Sequence, residues 1–193
     1  MMKSVLIDAS SAILLFKAEL FVPLAEIYRV SVVPSVMEEV TVPDRPGTLF
    51  FQEMVSKGLM TVEPVDMPLK ADPKLSTLDR GERDTMIAFD QIKANFIIID
   101  DRKGALWCRS RNVPYVNALL CTKLLWLSGR LNEENHLCRF EQLLQIGRYS
   151  RWVVDFAQCC DKKDLDPFLP NQEGQDACRD LATGRMKAHL LNN

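Results

Sequence analysis

Carboxylates at four points along the chain carry the chemistry this sequence could perform. Asp8 ends the apolar run Val5-Leu6-Ile7, and the pair Glu38-Glu39 follows the β-branched run Val30 to Val33. Glu82 and Asp84 lie just after Asp79-Arg80-Gly81, and Asp100-Asp101 close the run Phe96-Ile97-Ile98-Ile99. Oxygen donors of this kind suit hard cations such as Mg²⁺ or Mn²⁺, and Mg²⁺ commonly takes one or two carboxylates with water and phosphate completing its shell. The chemistry implied is metal-assisted phosphodiester hydrolysis, in which two ions about 3.5–4 Å apart can activate water and stabilise the leaving oxygen. Without a cation the set is costly: two like charges about 4 Å apart repel by about 4 kcal/mol at an effective dielectric of 20. A metal or a shared proton must relieve that repulsion. Any single carboxylate here could instead cap a helix, and Glu38-Glu39 could decorate an exposed face. The combination of strand end, helix, helix start and strand end is what points to a site.

Those carboxylates need elements that bring them together. Short apolar runs at 4–7, 30–33 and 96–99 read as buried strands, with Tyr115-Val116 as a further short strand and Thr61 to Val65 as an edge strand carrying Pro64. Helices are expected from Ala12 to about Ala18 capped by Ser10-Ser11, from Leu24 to Tyr28, from Ser35 to Val40 and from Thr48 to Lys57. Others should run from Arg83 to Lys93 and from Lys103 to Arg111, with residues 66–78 as loop. Strands alternating with helices at this spacing imply parallel pairing, hence an α/β fold with a central sheet flanked by helices. In open parallel sheets ligands bind beyond the carboxyl ends of strands, near the switch point of strand order, so Asp8 and Asp100-Asp101 are candidates for one crevice.

Composition sets the outer bounds. The chain has 193 residues, 47% hydrophobic and 26% charged, which excludes a largely disordered chain, a fibre and a membrane protein. The carboxylate at position 8 interrupts any secretory apolar core, so a cytoplasmic location and six reduced cysteines are expected. Net charge is −2, but residues 1–101 carry 10 basic against 16 acidic side chains, and residues 102–151 carry 9 against 3. That asymmetry would set an electropositive surface beside an acidic site, or else it reflects solvated helix faces.

The segments Val5 to Ser11, Val32 to Val40, Gly81 to Ile87 and Ile97 to Arg102, in this order, resemble the PIN-domain family, and within it the prokaryotic branch related to VapC toxin ribonucleases. The resemblance covers roughly residues 3–130. It implies a three-layer parallel sheet, Mg²⁺ or Mn²⁺ at the acidic site, an RNA substrate, and an antitoxin as protein partner if the chain is a toxin. Carried over by position, Asp8, Glu39, Asp84 and Asp101 would be the catalytic acids, with Asp8, Asp84, Asp100 and Asp101 touching metal. Asp100 would either share the metal or cap the next helix, and Ser10, Glu38 and Glu82 would support the site. Glu82 and Asp84, two apart on a helix, do not share a face, so Glu82 would reach in from the entry turn. Arg102 and Lys103 would approach phosphate.

Beyond residue 131 the family pattern ends, and 132–193 reads as a helical extension packed on a nuclease-like domain, 1–131. The apolar helix at 119–127 is either core or the face of a homodimer. A second helix starts at Asn132-Glu133-Glu134 with Leu137, Phe140, Leu143 and Leu144 on one side; a third spans Trp152 to Cys160 and a last one Ala177 to Leu191. Arg148, Tyr149, Arg151 and Trp152 could stack on and neutralise nucleic acid, or Trp152 and Val153 could simply pack. His136, Cys138, Cys159, Cys160, Cys178 and His189 lack the paired spacing of a zinc site, and buried thiols are the expectation. Two other functions compete: a PIN-like binding module without turnover, and an aspartate-nucleophile phosphatase. The latter wants a second Asp where Ser10 stands.

Overall fold

In a computed structural model, which describes residues 2–66 and 73–171, five strands form one all-parallel sheet flanked by helices. Strand β1 (Lys3–Ile7) leads into α1 (Ala9–Lys17) and α2 (Phe21–Ala25); β2 (Tyr28–Val32) leads into α3 (Pro34–Val40) and α4 (Thr48–Ser56). After β3 (Met60–Val62) and a 3₁₀ turn at Pro73–Thr77 come α5 (Arg80–Ile92), β4 (Phe96–Ile98), α6 (Arg102–Ser110) and β5 (Tyr115–Val116). The chain then turns wholly helical: α7 (Ala118–Leu127), α8 (Glu133–Ile146), α9 (Arg151–Cys159) and α10 (Lys162–Leu165).

The strand order is β3-β2-β1-β4-β5. The first three strands step outward one way, and β4 returns to the other side of β1. The switch point therefore lies between β1 and β4, whose registers pair Ile7 with Ile98. Asp8 extends that pairing, its N–H donating to Ile98 O at 3.2 Å. Both central strands are apolar without alternation because both faces are covered: Val5, Leu6, Ile7, Phe96, Ile97 and Ile98 are all fully buried.

Several local expectations shift. The cap of α1 is Asp8, whose Oδ1 accepts from Ser11 N–H, so Ser10 and Ser11 lie inside the helix they were expected to cap. A carboxylate with a β-region backbone outcompetes the hydroxyls one turn too late. Tyr28 opens β2 rather than ending a helix, and its hydroxyl reaches Phe168 O at 2.9 Å. Thr61 to Val65 shrinks to β3, an edge strand, before Pro64. Of the expected loop 66–78, Pro73–Thr77 form the 3₁₀ turn, and 67–72 lie outside the described residues.

The C-terminal helices join the same core. α8 packs along α7 and α9 touches it, and Phe140, Leu143, Ala157, Cys160 and Leu165 belong to the main hydrophobic cluster. α7 is buried from Ala118 to Leu125, so this chain itself covers the apolar helix that could have been a dimer face. On α8 the buried stripe is His136, Phe140 and Leu143, and Leu137, expected on that side, is exposed. Trp152 is likewise 68% exposed rather than packed inside, its ring stacked on Phe156. α10 forms within a stretch expected to be irregular, started by Asp161, whose Oδ1 accepts from Lys163 and Asp164 N–H. The helix expected at 177–191 lies outside the described residues.

Candidate active site

Asp8 and Asp100 stand side by side at the switch point, and both are locked by α1. Asp8 is 3% exposed; its Oδ2 accepts from Ser10 Oγ at 2.5 Å while Oδ1 accepts from Ser11 N–H at 2.9 Å. Burial pushes its carboxyl up to about 6, against the opposing pull of the Ser10 and Ser11 hydrogen bonds. Ser11 turns its hydroxyl the other way, to Asp100 Oδ2 at 2.8 Å, and Ala118 N–H, at the start of α7, donates to the same oxygen at 3.0 Å. Asp100 is raised as well, chiefly by burial, and its Oδ1 is shielded from solvent without a hydrogen-bond partner.

Asp101 turns away from Asp100 to cap α6, Oδ1 accepting from Lys103 N–H at 2.6 Å and Gly104 N–H at 3.1 Å. Capping of the following helix, one of the two roles open to Asp100, thus falls to its neighbour. Glycine at 104 lets α6 start close to the sheet: a Cβ there would sit 2.1 Å from Ile99 Cδ1 and force that side chain to turn. Asp101 also meets Glu82, which reaches in from the first turn of α5. Burial, then the hydrogen bond with Asp101 and its charge, push Glu82 up to about 8. Asp101 moves the opposite way: burial raises it, but Glu82 and the N–H groups of Gly104, Lys103 and Arg102 together outweigh burial and hold it below the usual carboxylate range. The pair is thus polarised, with Glu82 the more readily protonated of the two carboxyls.

Asp8, Ser10, Glu39, Glu82, Asp100 and Asp101 line one cleft of about 530 Å³, together with Asp79, Gly81 and the segment Ile146 to Tyr149. Glu39 stands exposed at its rim, and Gly81 keeps the first turn of α5 close to it: a Cβ there would meet Val36 Cγ2 at 3.3 Å and Glu39 Oε2 at 3.7 Å. Two of the expected acids lie outside this lining. Asp84 accepts from Ser35 Oγ at 2.7 Å and from Arg83 Nε at 3.4 Å, and Glu38 pairs with Arg80 at 2.8 Å on the surface. α3 decides this, because it packs on α5 and takes the face that carries Asp84, leaving Glu82 to the cleft. Arg102 and Lys103 are exposed at the start of α6, beside the cleft but not lining it. Arg148 and Tyr149, candidate nucleic-acid contacts by residue type, thus join the acids in one cleft. No local signal could make that connection, since the residues in question are more than 40 positions apart.

A family model described as DUF3368, PIN domain, matches residues 4–145. The chain belongs to the PIN-domain family. No curated protein matches it. PIN domains are in general nucleases, hydrolases of nucleic acid that work with divalent metal. Among the described residues no three His, Cys, Asp or Glu side chains form a ready-made cation cage. The donor set still fits a cation held by one or two carboxylates, because Asp100 Oδ1 is buried and unpaired and the neighbouring Asp8 and Glu82 are both raised, chiefly by burial. The zinc candidates do not gather: His136 stacks on Trp126 with ring centroids 5.1 Å apart, Cys138 and Cys159 are exposed, and Cys160 is buried beside Lys123. Cys178 and His189 lie outside the described residues. Among the described residues no helix is long and apolar enough to cross a membrane.

Proposed function

We propose that this PIN domain is a metal-dependent endoribonuclease whose site is built on Asp8, Glu82, Asp100 and Asp101, with Glu39 at the rim. The observation that carries the reading is the convergence of carboxylates from four separate segments on one cleft at the sheet's switch point. Mg²⁺ or Mn²⁺ bound there would polarise a phosphoryl oxygen and lower the pKa of a bound water. Asp8 and Asp100 would hold the ion, each oriented by a serine of α1. Asp101, ionised by its backbone donors, would orient the attacking water, and the proton on Glu82 would leave as the ion enters. Arg148 in the cleft lining, with Arg102 and Lys103 beside it, would neutralise the phosphates of a bound strand. Asp84, held by Ser35 and Arg83, would support the helix start rather than touch metal.

The same reading puts the chain on the branch related to VapC toxin ribonucleases, with an antitoxin that covers the acidic cleft. A small DNA-binding protein encoded by the adjoining reading frame, inhibiting cleavage when added, would support that assignment.

The decisive experiment incubates the purified chain with RNA and Mg²⁺ or Mn²⁺, beside the Asp8→Asn variant. Asn preserves the cap of α1, so the fold survives. Cleavage should require the metal and fall at least about 100-fold in the variant, given the loss of a charged metal ligand. RNA bound but uncut by the wild type would favour a binding module, and unchanged cleavage by the variant would move the site elsewhere.

A further inference from the structure

Among the described residues, four buried side-chain polar atoms have no hydrogen-bond partner, and two of these, Asp100 Oδ1 and Tyr149 Oη, lie in the same cleft. A tyrosine hydroxyl that is buried costs free energy unless it finds a partner, and phenylalanine would supply the ring without that cost. The hydroxyl and the carboxylate are complementary, a donor and an acceptor, and they lie close enough to influence each other's ionisation.

The backbone is shaped to admit this ring. Gly147 ends α8 with φ −95° and ψ 171°, a conformation any residue can adopt, so its demand for glycine is steric. A Cβ at that position would lie 2.3 Å from Cε2 and 2.8 Å from Cζ of Tyr149, and 3.0 Å from Leu143 O. Any side chain at 147 would force the ring to shift from this position. The other oxygen of Asp100 is already held twice, by Ser11 Oγ and Ala118 N–H, so a donor on Oδ1 would stop the carboxylate from turning.

We propose that Tyr149 is a positioning residue which the segment after α8 contributes to the active site, its hydroxyl donating to Asp100 Oδ1 and its ring admitted by Gly147. The inference rests on the nuclease reading above, and goes beyond it by making the C-terminal helices part of the catalytic unit. One lone pair of Oδ1 takes the phenol and another remains for a cation. An O–H···O⁻ bond of this kind is short and strong.

Tyr149→Phe tests it, because the ring stays on Gly147 and the fold is kept. Cleavage of a short RNA gives kcat and KM, and Mn²⁺ affinity is read separately from the electron paramagnetic resonance of free Mn²⁺, without turnover. Loss of such a supporting partner typically costs about 10–100-fold, so kcat and Mn²⁺ affinity should fall about 10-fold at unchanged KM. Gly147→Ala, which displaces the ring, should reproduce the loss, and the double variant should add nothing. In an Asp100→Asn background the Tyr149→Phe change should have no further effect. Wild-type kcat and Mn²⁺ affinity in Tyr149→Phe would overturn the proposal, as would a raised KM at unchanged kcat, which would make Tyr149 an RNA contact. A wild type that neither binds Mn²⁺ nor cuts RNA would overturn the nuclease reading and this inference with it. Failure of Tyr149→Phe alone, in an active protein, would overturn only the inference.

Discussion

At the scale of single residues, one carboxyl does two things: Asp8 starts α1 through Oδ1 and faces the cleft beside Asp100. Its burial makes stability depend on pH with a definite sign. A carboxyl raised from 3.8 to about 6 binds its proton more tightly in the folded state, so the stability it contributes is complete below about 3.8 and is lost as pH rises through 6. Glu82, raised from 4.5 to about 8, acts in the same direction up to about pH 8. Asp101 is lowered and acts oppositely, but below its ordinary value of 3.8 and so outside this window. Metal-free protein should therefore lose unfolding free energy between pH 5 and pH 8, with Asp8 alone accounting for roughly 1–2 kcal/mol. Urea denaturation in chelator at several pH values measures this. Asp8→Asn should flatten the profile by that amount, and Mn²⁺ should stabilise the wild type more at pH 8 than at pH 5, because fewer protons compete for the oxygens there. A profile flat from pH 5 to pH 8 would show that these carboxyls are solvated.

At the scale of elements, α9 is fixed by a lysine. Lys123 on α7 is 9% exposed, and its ammonium donates to the carbonyls of Ala157, Gln158 and Cys160 at 3.2, 3.1 and 2.6 Å, the open end of α9. A cation there meets both the unsatisfied carbonyls and the negative end of the helix dipole. Lys123→Met keeps the stem's packing but leaves those carbonyls orphaned, and should cost about 2–3 kcal/mol. For a chain of this length that lowers Tm by roughly 4–10 °C, measurable by calorimetry. Unchanged Tm would mean that water satisfies the carbonyls equally well. Elements of this kind also show where sequence is legible. Strand ends and their acids could be read because the apolar runs are local and stop at Asp8 and Asp100. Helix phase could not: whether α8 buries His136 or Leu137, and whether α5 offers Glu82 or Asp84 to the cleft, is set by the neighbours α7 and α3. Lys123 gave no signal at all, because a lysine among leucines reads as a solvated position until the end of another helix is brought to it.

At the scale of the whole molecule, the site depends on order in space rather than in sequence. Asp8 and Asp100 become neighbours only because β4 returns beside β1, and Tyr149 reaches them only because α8 runs back along α7. The family match itself continues to residue 145, into the last turns of α8. Among the described residues beyond position 131, five apolar ones, Phe140, Leu143, Ala157, Cys160 and Leu165, are buried in the main hydrophobic cluster. Fully burying a side chain the size of Leu or Phe contributes about 1.5–3 kcal/mol, so Phe140 and Leu143 alone approach half of a typical domain's net stability of about 5–15 kcal/mol. Removing them would also strip from α7 the helices α8 and α9 that pack on it. The fragment 1–131 should therefore fail to unfold cooperatively: it should associate or lose its near-ultraviolet circular dichroism, while the full chain shows one sharp transition. If the fragment instead proves monomeric and melts cooperatively, the parallel sheet and its five strands are stable alone. The helices after 131 would then serve the cleft without supporting the fold.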